Sequence, residues 1–203
     1  MEEKKVWTII LKSKVPSKRN IIGTRWVFAI KDDGRFRARC VAKGFSQIPG
    51  KDFQENHAPV ITDTTTHLLL VLQTILHLST GQFDIETAFL YGDLEEELWM
   101  EIPDGYIQFL NETYPQNSYS NMSAKTHCLL LTKAIYGLVQ AARQWWKKFK
   151  EVLGTLFYFP SKADPCLFIK TDQLQNKSYI IIYVDDGGIF GTPEEIKNVL
   201  NKL

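Results

Sequence analysis

The apolar run from Tyr179 to Val184 ends abruptly in Asp185 and Asp186, and Gly187 and Gly188 follow. A short run of aromatic and β-branched residues reads as a strand, and this one delivers two carboxylates to its end. On a continuing strand neighbouring side chains point to opposite faces, so both acids reach one site only where the chain bends. Gly187 and Gly188 are the residues expected to permit that bend. Two unit charges about 4 Å apart repel by roughly 4 kcal/mol at an effective dielectric of about 20. The pair therefore asks for a compensating cation. The same residues also fit an ordinary hairpin, Asp-Gly between apolar runs, in which both acids face water.

A metal site needs a third carboxylate. Asp84 is the best candidate: it follows Gln82 and Phe83, precedes Ile85, and ends a short strand signal reached from a helix-like stretch closed by Gly81. Two such strand ends side by side would form the carboxylate cluster that holds two divalent ions in nucleotidyl transfer. Ligands that are all oxygen favour magnesium or manganese. Cys40, Cys128 and Cys166 lack metal-ligand spacing, and His57, His67, His77 and His127 lack the short paired intervals of zinc sites.

A chain of 203 residues with 44% hydrophobic content suits one large domain or two small lobes around a buried core. No apolar run approaches the roughly 18 residues of a membrane span, since His67, Gln73 and His77 interrupt the richest one. A soluble, intracellular protein is expected. The net charge of +1 hides a segregation: residues 1–52 carry 13 Lys/Arg against 5 Asp/Glu, residues 53–120 carry 11 Asp/Glu and no Lys or Arg, and residues 121–203 carry 11 against 7. A cationic segment beside an acidic one suits an enzyme that binds a polyanion around a metal-holding centre.

Thr24 to Lys31 and Phe36 to Phe45 are extended runs joined by Asp32, Asp33 and Gly34, and read as a β-hairpin. Alternation puts Arg35, Arg37, Arg39 and Lys43 on one face, suited to phosphates or, alternatively, to a solvated edge that resists aggregation. Thr64 to Leu78 predicts a mostly buried helix, capped by Asp63 or a nearby Thr and stopped by Gly81. Glu95, Glu96 and Glu97 read as a solvated acidic turn, and Tyr106 to Lys125 as a long surface insertion. Ala141 to Phe157 is the clearest amphipathic helix. Thr192, Pro193 and Glu195 mark a helix start with a capping box.

Several of these segments carry motifs in a fixed order: GTRWVFAIK at 23–31, RARCVAKGFSQ at 37–47, APV at 58–60, FDIETAFLYGDLEEELWMEIPDGY at 83–106, YGLVQAARQWW at 136–146, ADPCLF at 163–168 and YVDD at 183–186. Together they resemble the reverse transcriptase domain of copia-type long-terminal-repeat retrotransposons, from about Gly23 to Gly191. The resemblance implies an α+β, right-hand polymerase architecture. Fingers would lie mainly in residues 1–80, and a palm with an antiparallel sheet backed by helices mainly in 81–203. A thumb would be absent or truncated.

It further implies an RNA-directed DNA polymerase that joins a dNTP to a primer 3′-hydroxyl on an RNA or DNA template. Two Mg2+ ions, or Mn2+, would be held by Asp84, Asp185 and the backbone carbonyl of Ile85, with Asp186 completing the catalytic carboxylates. By the same similarity Phe89 would exclude a 2′-hydroxyl and Gln140 would help position the incoming nucleotide. Arg37, Arg39 and Lys43 would contact triphosphate or template. Partners would be template-primer, dNTPs, and other polyprotein segments such as thumb, RNase H and integrase, or a second subunit. The expected setting is cytoplasm, virus-like particle or nucleus. Where the family has GLKQ this chain has Val139, and Gly187 and Gly188 replace aliphatic residues, loosening the hairpin. The alternative is therefore a truncated, inactive retrotransposon remnant that retains at most nucleic-acid binding.

Overall fold

The computed structural model of the protein describes residues 4–116, 119 and 121–203. In chain order the strands and helices are β1 (Trp7–Leu11), β2 (Ile21–Ile22), β3 (Thr24–Ile30), β4 (Phe36–Ala42), α1 (Asp63–Leu76), β5 (Ser79–Asp84), β6 (Asp93–Met100), α2 (Tyr106–Thr113), β7 (His127–Lys133), α3 (Ala141–Thr155), β8 (Phe159–Pro160), β9 (Leu167–Thr171), β10 (Lys177–Tyr183), β11 (Asp186–Gly191) and α4 (Pro193–Leu200). The fold is mixed α and β. Among the described residues no helix is long and apolar enough to cross a membrane.

The chain divides into two compact units, each made from two separate stretches: Met1–Asn56 with Phe89–Gln144, and His57–Ala88 with Trp145–Leu203. The first unit holds a sheet ordered β1-β7-β6-β2 and a separate two-stranded ribbon, β3-β4. Its core joins Ile22, Leu98, Met100, Leu129 and Ile135. The ribbon forms as its sequence predicts. Gly34 takes a φ of +80° in the connection, and Lys31 N–H donates to the Arg35 carbonyl.

The second unit is built on a five-stranded sheet ordered β5-β11-β10-β9-β8, with every neighbouring pair antiparallel. Trp145, Phe149, Leu153 and Leu156 form the buried stripe of α3 and its extension, at the three- and four-residue spacing of an amphipathic helix. At α4, Thr192 accepts from Glu195 N–H, the expected cap, with Pro193 opening the helix. The box does not close on itself, because the Glu195 carboxylate instead accepts from Lys170 Nζ and from the Tyr158 hydroxyl.

Four sequence expectations are corrected. Helix α1 is not mostly buried: only Thr65 and Leu69 are, while Leu68, Leu70, Val71, Ile75 and Leu76 are exposed. Apolar residues on several faces of this helix exceed the single stripe that meets the sheet core of Leu167, Tyr179 and Phe190. Gly81 lies inside β5, and α1 ends at His77 in the left-handed conformation. Glu95, Glu96 and Glu97 sit within β6 rather than in a turn, and Glu96 accepts from Gln54 N–H. The stretch from Tyr106 begins with α2, whose Tyr106 and Leu110 are buried; Trp7 donates to the Tyr106 hydroxyl at 2.8 Å. Residues 117, 118 and 120 of that stretch lie outside the described residues.

Candidate active site

The acidic hairpin belongs to the second unit. Strands β10 and β11 pair with Tyr183 opposite Asp186, which leaves Val184 and Asp185 as a two-residue loop. The bend is therefore at Val184–Asp185, not at the glycines, which lie in β11. Val184 takes a φ of +58°. A positive φ at the first loop residue is the pattern of a type II′ turn, where glycine is favoured. For a β-branched residue that conformation costs on the order of 1–3 kcal/mol, strain of the kind that clusters at functional sites.

Strand β5 lies on the other side of β11, with Asp84 directly opposite Asp186 and Phe83 opposite Gly187. Ile85 N–H donates to the Asp185 carbonyl at 2.9 Å. That bond makes 85 and 185 a hydrogen-bonded pair, so Asp84 and Asp186 form a non-hydrogen-bonded pair, with Cα atoms about 4.5 Å apart and side chains close. Both carboxylates are exposed on one face, and Asp185 is half-buried in the loop beside them. Like charges directly opposite destabilise a sheet. Asp84 and Asp186 are thus cross-strand neighbours, with Asp185 one residue away in the loop, and all three offer oxygen donors of the kind hard divalent cations take. Among the described residues, though, no three His, Cys, Asp or Glu side chains are grouped as a ready-made metal cluster.

Sequence reasoning missed what supports this hairpin. Trp145 Nε1 donates to the Val184 carbonyl at 2.6 Å. Asp164, in the ADPCLF motif, accepts from Thr65 Oγ1 at 2.6 Å and from Thr62 N–H and Cys166 N–H, joining the start of α1 to the approach to β9. Burial opposes ionisation of Asp164, but the hydrogen bonds, led by that from Thr65, hold its carboxyl below the usual range. Its distance in sequence from Thr62 concealed this role.

The expected nucleotide-facing residues belong to the first unit. Arg37 and Arg39 share a face of β4, with Arg39 opposite Val27 and Arg37 opposite Ala29. Arg35 lies in the hairpin turn, paired with Asp33 at 2.6 Å, and Lys43 lies beyond the strand end. The four cations therefore do not form one continuous strand face. The Arg39 guanidinium sits 5.0 Å over the Tyr136 ring, and Phe89 packs against the same ring at 4.9 Å. Tyr136, which the sequence did not single out, thus links two expected site residues.

Gln140 is fully buried. Its Oε1 accepts from Gln47 Nε2, its Nε2 donates to the Asp52 carbonyl, and Gln47 Oε1 accepts from Val139 N–H. The two motifs interlock beside it: a Cβ on Gly44 would come within 2.0 Å of the Gly137 carbonyl oxygen, and one on Gly137 within 2.1 Å of the Ala42 carbonyl oxygen. Only glycine fits at either position.

The family model described as reverse transcriptase (RNA-dependent DNA polymerase) matches residues 4–203. The chain is 37% identical over 184 residues to the retrovirus-related Pol polyprotein from transposon TNT 1-94 of Nicotiana tabacum, covering 88% of this chain and 13% of that protein. It is 34% identical over 194 residues to the polyprotein from transposon RE1 of Arabidopsis thaliana, covering 93% of this chain and 12% of that protein. The chain therefore spans a small part of the relatives it matches. No solved structure matches it. Its motifs, its hairpin and these relatives place the chain in the reverse transcriptase family, as a domain of the copia-type retrotransposon kind.

Proposed function

We propose that the chain is an RNA-directed DNA polymerase domain that transfers a nucleotide from a dNTP to a primer 3′-hydroxyl. The observation that carries this reading is the pairing of Asp84 with Asp186 across β5 and β11, with Asp185 in the adjoining loop. In this reading the second unit's sheet is the palm and the β3-β4 ribbon belongs to the fingers.

Asp84, Asp185, Asp186 and the Ile85 carbonyl would hold two divalent ions, Mg2+ or Mn2+. When bound, such ions stabilise charge on the attacking and leaving oxygens of an in-line displacement. The carboxylates fix where that charge is met. Phe89, braced by Tyr136, presents a ring that excludes a ribose 2′-hydroxyl. Arg37, Arg39 and Lys43 contact phosphates of dNTP or template as cations. Gln140 acts on the nucleotide through its hold on Gln47 and Asp52, since its own amide is enclosed. Other segments of a longer polyprotein are natural partners, as the relatives' greater length suggests.

The test is extension of a primed RNA template by the purified chain with dNTPs and magnesium or manganese. Extension that Asp185→Asn abolishes supports the reading. Template binding without any extension would contradict it for this chain, and would favour an inactive remnant that keeps nucleic-acid binding.

A further inference from the structure

The loop that carries Asp185 begins at a β-branched residue in a conformation suited to glycine, so something must hold Val184 there. Its carbonyl oxygen accepts from the indole N–H of Trp145 at 2.6 Å. Trp145 is buried, and its ring packs on Phe149 at 5.4 Å. Phe149 in turn meets Phe83 at 6.1 Å and Phe168 at 5.7 Å. Phe83 covers Gly187, so the row of rings from α3 supports the loop at Val184 and the adjoining strand at Gly187.

We infer that Trp145 is a positioning residue for the acidic loop, its indole N–H clamping the Val184 carbonyl so that Asp185 is presented beside Asp84 and Asp186. The assignment rests on the polymerase reading for its catalytic meaning, but the clamp itself does not. An indole buried only for packing has no need to aim its single donor at a strained turn. Tryptophan suits the task because it joins a large apolar body to one N–H. A donor fixed by packing in the core holds an exposed turn better than a solvated side chain, which pays rotamer entropy for the same bond.

Trp145→Phe keeps a ring and deletes the donor. The Ile85 amide reports on the loop directly, because its N–H is bonded to the Asp185 carbonyl. By NMR-detected hydrogen exchange, Ile85 is expected to exchange at least tenfold faster in Trp145→Phe, while the Ile180 and Phe168 amides change less than threefold. In a Val184→Gly background, where the left-handed conformation carries no side-chain strain, the same substitution is expected to speed Ile85 by less than threefold. In primer extension, Trp145→Phe is expected to lower kcat at least tenfold with KM for dNTP within twofold.

Unchanged Ile85 exchange would overturn the clamp. Equal acceleration at Ile85, Ile180 and Phe168 would also overturn it, by making Trp145 a general core residue. An unchanged kcat in Trp145→Phe would overturn the positioning role. Absence of extension by the unsubstituted chain would contradict the polymerase reading, while the exchange measurements would still decide the clamp.

Discussion

The ring of Phe83 fills the space that a side chain at Gly187 would occupy: a Cβ there would lie 2.1 Å from the Phe83 Cζ. The two residues are direct partners across β5 and β11, one position from the opposed acids Asp84 and Asp186. A side chain at position 187 would therefore have to displace the Phe83 ring.

Gly187→Ala is expected to destabilise the chain by about 1–3 kcal/mol, the usual range for forced overpacking. Phe83 also packs on Phe149, which restricts its escape. Gly188→Ala is the control, because a Cβ there meets Ile181 and Phe190 no closer than 3.4 Å, an ordinary contact. Urea denaturation of both variants checks the contrast. Equal midpoints would show that Phe83 yields freely.

Asp164→Asn is expected to cost about 1–3 kcal/mol at pH 7, because an amide accepts the hydrogen bonds of Thr62, Thr65 and Cys166 less well than a carboxylate. The sign of the pH dependence follows from the lowered folded pKa. The contribution is fully present above the unfolded value, about 3.9, and is lost as pH falls through the lower folded value. The gap between the two proteins should therefore close below about pH 4. A gap independent of pH would contradict the assignment.

Burial pushes the Cys40 thiol up to about 11 and does the same for Cys166. Both are buried, and the thiolate is the nucleophile. Alkylation by iodoacetamide at pH 8 is expected to be slow in the folded chain and fast in urea. Rapid labelling of either residue without denaturant would show that its burial is wrong.

The cationic face of β4 is expected to set the salt response of template binding. Arg37→Ala should weaken affinity for primed RNA across sequences and reduce the slope of log K against log salt by about one. Fluorescence anisotropy at several salt concentrations measures this. An unchanged slope would remove Arg37 from the phosphate contacts.

The placement of the acidic residues at a strand end and a hairpin was legible because it rests on local patterns. Asp84 ends a strand, Asp185 and Asp186 lie where one strand turns into the next, Gly34 closes a hairpin, and Thr192-Pro193 opens a helix, each marked by a few residues. What was not legible depends on distant partners. The function of Gly187 depends on Phe83, that of Trp145 on Val184, and that of Asp164 on Thr62 and Thr65. The location of the bend was misread because glycine is the residue expected in a turn, whereas here Val184 takes the positive φ. Helix α1 misled for a different reason: its composition is apolar on several faces, and hydrophobicity alone does not say which face meets the sheet.

Asp84, Asp185 and Asp186, the proposed metal ligands, lie where β5 ends and where the loop after β10 leads into β11. Titration with Mn2+ while observing the backbone amide resonances tests that proposal most directly. The signals of Asp84, Ile85, Asp185 and Asp186 are expected to broaden first, before those of Lys170 and Thr171 on β9, and Asp185→Asn is expected to require at least tenfold more Mn2+ for the same effect. Broadening that begins elsewhere, or that Asp185→Asn leaves unchanged, would contradict it.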